Sequence, residues 1–516
     1  MKYIKSLIAA SIAVATTFTS CDMGDFGDLN VNPNKPSEPY TSMLFTYSAR
    51  EVRNFTMNAY DYDPWTQLRT GYLSESKNNQ YGPMNTTTSF GTNNYYRYTI
   101  KNLNTIIEMN ENEETKSEVS VVSFGDNNNQ IAVAKTLRAF FFMSLTDILG
   151  PLPYSDAFKG ESDDVWEPKF DSQESIYAAL DADLQDAHSK FDVEGSLTDA
   201  DIIYNGDISK WKKFNASLRM MMAIKMADVD PNNGKTRFAK AYADGGMKDV
   251  EDGFHYTFDT NSTAYAWMYY VGNPNLADRN LNFVPNKVIV DALKEYQDPR
   301  MFSYFTLDGY KGKAEGDPTD FNAYIGVPFG LESNDVVVSS SKGCSSVAYS
   351  YCEPQATYGV ITTARALLVE AEAAQLGWIN ASSKDLYEAG IRASFDFQST
   401  YHTAVSGVDN YIASEKVALS NDKATAIKQI VMQRFLAGFM TDGVESWSDW
   451  RRFNIPTLPI YGGQALEGVE VYPYRMQYSD TDKQYNVVNS DEAIKTYLNG
   501  NDGRWERVWW DVADNK

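Results

Sequence analysis

Six long segments of this chain carry apolar side chains at the 3.6-residue period of an α-helix. That recurrence constrains the fold more than any other feature. Residues 131–149 (IAVAKTLRAFFFMSLTDIL) line up Ala134, Leu137, Phe141, Leu145 and Ile148, and Gly150-Pro151 then stops the helix. Residues 173–191 place Ile176, Leu180, Leu184 and Phe191 alike, and residues 208–227 place Trp211, Phe214, Leu218, Met221 and Met222. Residues 361–376 carry Ala364, Leu367, Leu368, Ala371 and Ala374, and Gly377 ends them. Ser382 with Asp385 caps the next helix, which carries Tyr387, Gly390, Ile391, Ser394 and Phe395. Residues 422–440 carry Ile427, Ile430, Val431, Arg434, Phe435 and Phe439. Earlier helices are expected at 39–57 and 94–110.

The 361–400 pair is helix, short turn, helix, and its alternation of large residues with Ala, Gly and Ser resembles tetratricopeptide repeats. Between the helices lie 60–92, 245–282, 302–357 and 453–515, rich in Asn, Asp, Gly, Ser, Tyr and Trp. Loops this long are functional or disordered more often than incidental, and their aromatic content argues against disorder. The expected fold is mainly α: tetratricopeptide-like helix pairs forming a scaffold, with long loops and minor β content.

Charge narrows the function. Lys and Arg number 46 against 69 Asp and Glu, a net −23, so the chain lacks the basic face that nucleic-acid binding needs. Only three His are present, His188, His255 and His402, and they are scattered. His188 continues the stripe of Leu180 and Leu184 and reads as a boundary packing residue. Asp228-Val-Asp230-Pro-Asn232-Asn233-Gly234 imitates the start of a calcium loop. It has Asn at the sixth position and Ala239 at the twelfth, so it reads as a turn. No G-x-S-x-G, H-E-x-x-H, G-x-G-x-x-G or Walker motif occurs. Glu370 and Glu372 stand two apart on a helix and do not face each other, so they read as a solvated pair. No cofactor, metal site or catalytic residue is expected. Cys344 and Cys352, within GCSSVAYSYC, are either a small-loop disulfide or two thiols.

The N-terminus reads as a targeting segment. Lys2 and Lys5 precede an apolar run, Leu7 to Phe18, that is too short to span a bilayer. Phe18-Thr-Ser-Cys21 then resembles a bacterial lipobox, which implies cleavage before Cys21 and its acylation. Residues 1–20 are thus expected to be a lipoprotein signal peptide. Residues 21–38, rich in Asp, Gly, Asn and Pro, form an acylated Cys with a flexible tether, and 39–516 form a single domain.

A series of motifs runs through that domain in order: LNVNPNKP (29–36), AKTLRAF (134–140) leading into LTDILGPLPYSDA (145–157), WKKFNASLR (211–219), LVEAE (368–372) with Gly377-Trp378, ESWSDWRR (445–452), YPYR (472–475) and VWWD (508–511). Together they resemble the SusD/RagB family of nutrient-binding outer-membrane lipoproteins, in its second, SusD-like branch. The resemblance implies a surface-exposed, lipid-anchored protein of the outer membrane that is not an enzyme. It implies a partner, a TonB-dependent SusC-like transporter, and a nutrient oligomer as ligand, most often a glycan. A peptide or other oligomer is the alternative, and a secreted hydrolase or a bare scaffold would be a different class. In Trp447, Trp450, Arg451 and Arg452, packing is the favoured reading over ligand contact.

Apart from the lipidated Cys21, no binding residue carries over by motif. The candidates come from chemistry: an aromatic plate stacks on the C–H face of a sugar while Asn, Asp or Arg takes its hydroxyl rim. Two aromatic loop clusters qualify. One holds Trp65, Tyr72, Tyr81 and Tyr95, with Tyr96 beside it. The other holds Trp267, Tyr269, Tyr270 and Asn273, with Tyr265 before them. They are expected to converge on one loop-built face.

Overall fold

A computed structural model of the chain describes residues 39–55, 65–75, 89–258, 283–309, 312–313, 316–330, 343–459 and 472–512. Its helices of six residues or more are α1 (Thr41–Arg50), α2 (Lys101–Glu111), α3 (Asn127–Leu149), α4 (Gln173–Lys190), α5 (Ile208–Lys225), α6 (Pro231–Asp244), α7 (Lys287–Tyr296), α8 (Thr363–Leu376), α9 (Ser383–Tyr401), α10 (Lys423–Ala437), α11 (Gly443–Phe453), α12 (Asp480–Tyr485) and α13 (Val487–Tyr497). A π-helical turn, Tyr95–Ile100, runs straight into α2. The described strands are short and pair two by two: Leu73–Glu75 against Phe283–Pro285, Phe254–Thr257 against Thr357–Ile361, Leu152–Pro153 against Phe170–Asp171, Phe305–Thr306 against Ser346–Val347, Asp308–Gly309 against Gly312–Lys313, and Gln477–Tyr478 alongside Ser89–Phe90. The fold is mainly α, as the apolar periodicity leads one to expect.

Local chemistry sets the helix ends. Asp126, Ser172, Asp207, Thr362, Ser382 and Asp422 each place a side-chain oxygen on a free N–H of the first turn of the helix that follows. Gly377 takes the left-handed conformation that closes α8, with φ 74° and ψ 29°. The calcium-like segment is the cap of α6: Asp230 accepts from the Asn233 N–H, and Pro231 fills the first helical position.

The helices pack as successive hairpins. α3 packs on α4, α5 on α6 and α8 on α9, with α2 against α3 and α10 against α8. Gly390 lets α9 approach α8: a Cβ there would stand 2.6 Å from Leu368 Cγ and 3.3 Å from the Ala364 carbonyl oxygen. The seams are lined by the periodic residues, Leu137, Phe141, Leu145, Leu180, Leu184, Trp211, Phe214 and Leu218 among them, all fully buried.

At the centre the helices exchange charge as well as apolar surface. Asp147 of α3 accepts from Lys225 of α5 at 2.6 Å, the Tyr177 hydroxyl at 2.5 Å and the Trp510 indole N–H at 2.7 Å. Lys225 also donates to Glu445 of α11 at 2.6 Å. Arg365 of α8 holds Asp442 and Asp449, while Glu372 takes Arg434 of α10 at 2.6 Å and Arg452 of α11 at 2.7 Å. Glu370 pairs with Lys248. Glu370 and Glu372 are therefore buried ion-pair partners, which corrects their reading as a solvated pair. The spacing argument holds, since they do not face each other, but α8 is covered on both flanks. Arg451 lies 4.0 Å from the Trp447 ring centre and 4.5 Å from that of Trp510, so these motif residues pack.

Cys344 and Cys352 are both buried and form no disulfide with each other, and burial pushes Cys352 up to about 12. His188 is half-buried, its Nε2 3.9 Å from Asp244. Among the described residues, no helix is long and apolar enough to cross a membrane, and no cluster of His, Cys, Asp and Glu could hold a metal ion.

Candidate functional site: an aromatic cleft

The aromatics singled out from sequence fall into three groups. Tyr72 is fully buried; its ring stacks on Phe435 at 4.9 Å and its hydroxyl donates to the Phe435 carbonyl at 2.8 Å, which places it in the core instead of on a ligand face. Tyr95 is half-buried in a ring cluster with Phe55 at 5.1 Å and Phe90 at 5.9 Å. Trp65 opens a short helix, Trp65–Arg69, and its side chain lies outside what is described. Cys21, Tyr81, Tyr265, Trp267, Tyr269, Tyr270 and Asn273 lie outside the described residues, so convergence of the two clusters is not decided by this structure.

A different aromatic cleft forms where Tyr96, the 152–170 segment and α12 meet. Its volume is about 200 Å³, room for one ring of an oligomer and smaller than the several hundred Å³ that enclose a whole drug-sized ligand. Two ribbons build its base: Leu152–Pro153 on Phe170–Asp171, and Gln477–Tyr478 beside Ser89–Phe90. Tyr96 reaches it from the π-helical turn, a geometry often found at functional positions. Its hydroxyl donates to the Pro153 carbonyl at 2.5 Å and its ring stacks on Phe158 at 5.7 Å. Burial of that hydroxyl, with the Asp482 carboxylate facing it, raises the Tyr96 phenol well above its ordinary range, so it stays protonated. Phe170 meets Tyr478 edge-on at 5.4 Å, and the Tyr478 hydroxyl donates to the Pro151 carbonyl at 2.6 Å.

The rim differs in kind from this packed floor. Trp166 is 69% exposed and Tyr485 is 79% exposed, and both line the cleft. Trp166 is nevertheless held in place. Its indole N–H donates to Asp164 at 2.7 Å, and its ring lies against the bare backbone of Gly160, where a Cβ would stand 2.9 Å from Cε3. The segment carrying it is tied to the opposite wall, since Asn486 donates to the Pro168 carbonyl at 2.7 Å and Asn489 to the Glu167 carbonyl at 2.8 Å. Thr92, Asn93, Thr481 and Asp482 supply polar groups between the rings. The arrangement offers a pre-positioned aromatic plate beside hydrogen-bonding groups. Among the described residues that line it, none forms a nucleophile–base pair.

A larger hollow of about 670 Å³ lies between α7, α10 and residues 454–459. Three of its four described charged groups are held in ion pairs, Lys287 with Asp291 and Glu295 with Lys416, and Tyr296, the one aromatic among the described lining residues, is half-buried. Its described residues present no exposed plate. Sequence reading missed Trp166 because it searched the longest loops, and the 150–172 connection is shorter than any of them. The available signal was a Trp flanked by Gly160, Asp163 and Asp164 in a turn that no apolar stripe claims.

A SusD-like family model, described as starch-binding and associating with the outer membrane, matches residues 33–479. Among solved structures, a SusD homolog from Bacteroides fragilis superposes with a TM-score of 0.77 at 21% identity, over 92% of this chain and 100% of that one. A SusD homolog from Bacteroides uniformis gives 0.74 at 22% identity, over 91% and 99%. A chitin-binding SusD homolog from Flavobacterium johnsoniae gives 0.70 at 23% identity, over 92% and 100%. At these identities the likeness is one of fold. No curated protein matches the chain by sequence.

Proposed function

The chain belongs to the SusD-like family, described as starch-binding and associating with the outer membrane, and from that premise we propose that it is a non-catalytic surface lipoprotein that binds a glycan and passes it to a TonB-dependent, SusC-like transporter. The observation that carries the glycan reading is Trp166, an exposed indole fixed by Asp164 and seated on Gly160. Fixing a large, exposed apolar ring in one orientation suits stacking on a sugar, because little ordering cost remains at binding. Tyr485 stands as a second plate, and Asn93 and Thr92 as partners for hydroxyls. A chitin-binding structure among the fold's relatives agrees with a glycan ligand.

The remaining parts of the reading rest on sequence and family. Residues 1–20 are the signal peptide, Cys21 is acylated, 21–38 is the tether and 39–516 the binding domain, held on the outer membrane and facing outward. Trp65, Tyr81, Trp267, Tyr269, Tyr270 and Asn273 stand as further proposed contacts.

Calorimetric titration with a panel of neutral oligosaccharides tests the site. Trp166→Ala is expected to weaken binding about fivefold to tenfold, the loss of one stacking plate. Its melting temperature should stay near wild type, because the ring is exposed. Unchanged affinity across every sugar that binds the wild type would remove the cleft from the reading.

A further inference from the structure

Among the described residues that line the cleft, only Asp482 is ionisable at neutral pH, and none is Lys, Arg or His. Asp482 is half-buried, at the start of α12. One of its oxygens accepts the Thr92 backbone N–H at 3.2 Å, and no cation pairs with it among the described residues. That contrasts with the ion-paired carboxylates of the core, Asp147, Glu372, Asp442 and Asp449. The flanking segments carry both signs: Asp163, Asp164 and Glu167 stand with Lys169 on one, and on the other Asp480 pairs with Lys483 at 3.5 Å.

Resting on the glycan reading above, we infer that this cleft selects a glycan bearing a free amine, an amino sugar in its ammonium form, and rejects polyanionic glycans. Asp482 is the single negative charge among the described lining residues, and an ammonium that donates to it makes a charge-assisted hydrogen bond. The surrounding rings supply the second recognition element, since an ammonium is attracted to the faces of Trp and Tyr. The aromatic plate and the carboxylate thus address the two chemical features of one hexosamine: the apolar C–H face and the charged nitrogen. A uronic acid would instead place a carboxylate against Asp482. A lysine side chain would satisfy Asp482 but would leave the width of the Trp166 plate without a ring to cover.

The test titrates the full chain at pH 6 with hexamers of glucosamine, N-acetylglucosamine and galacturonic acid, and with hexalysine. The glucosamine hexamer is expected to bind about tenfold more tightly than its N-acetylated form, the size of one charge-assisted hydrogen bond. The galacturonic acid hexamer should not bind. Asp482→Asn should bring the amine and acetylated forms to within about twofold, and 0.5 M salt should do the same in the wild type, which covers a variant that fails to fold. Equal or weaker binding of the amine form overturns the inference while leaving the glycan reading in place. Hexalysine binding as tight as that of the glucosamine hexamer also overturns it, in favour of a peptide ligand. Neutral sugars that bind with no effect of Trp166→Ala overturn the cleft itself.

Discussion

Asp147 shows at the scale of one residue how much a motif letter can carry. It sits in the last turn of α3 and accepts from Lys225, Tyr177, Trp510 and Gln173, groups from α5, α4 and the C-terminal segment. Its burial is tolerated because each of these donors is aimed at it. Asp147→Ala would leave Lys225 with Glu445 alone and strand two buried donors. Breaking a buried pair from one side costs about 3–5 kcal/mol, so chemical denaturation should show a loss of that order; a loss below about 1 kcal/mol would mean the network relaxes around the gap. Residue chemistry was legible in sequence only in part. Trp447 and Arg451 read correctly as packing residues, because large aromatic and cationic side chains beside each other on a helix suit a seam. Glu370 and Glu372 did not, because spacing tells which side chains share a face but not how many faces of a helix are covered. Tyr72 was legible as an aromatic in a polar stretch, yet its partners Phe435 and Ser446 lie hundreds of residues away in sequence.

At the scale of elements, the α8–α9 hairpin makes the sharpest prediction. Gly390 sits where the two helices touch, and any larger side chain would have to displace Leu368 or the backbone at Ala364. Gly390→Leu should therefore destabilise the protein by about 1–3 kcal/mol through overpacking, even though Leu is the better helix former. Thermal melting would check it, and a raised melting temperature would mean that propensity outweighs the contact. The helices that were legible are those with a full apolar stripe. α11 escaped a helix assignment because its apolar stripe is short, Val444, Trp447 and Trp450, and stands among charged residues in GVESWSDWRRF. It is buried through ion pairs as well as through that stripe, and only the stripe leaves a period in the sequence. α6 escaped because only Gly234, Phe238 and Ala241 are buried along its length. α12 and α13 lie in a stretch whose Asn, Asp and Gly content reads as loop, and Ser479 caps the first of them.

For the whole molecule, the anchor is the property that places the binding domain on a surface. Cys21→Ala should abolish incorporation of a labelled fatty acid and release the protein from the membrane fraction, while far-UV circular dichroism stays helix-dominated. Equal labelling of variant and wild type would contradict acylation at that position. The sequence by itself determined the helical scaffold, the caps that start its helices and the family, because apolar period, capping chemistry and motif order are local along the chain. Tertiary structure alone decided which polar residues are buried and where an aromatic stays exposed. Arg365, Glu372 and Arg434 are tolerable in the core only as a set that meets across α8, α10 and α11, and no local pattern announces that meeting. Trp166 is a plate only because Gly160, Asp164 and the α12–α13 wall converge on it, and exposure is a property of what fails to cover a ring as much as of the ring itself.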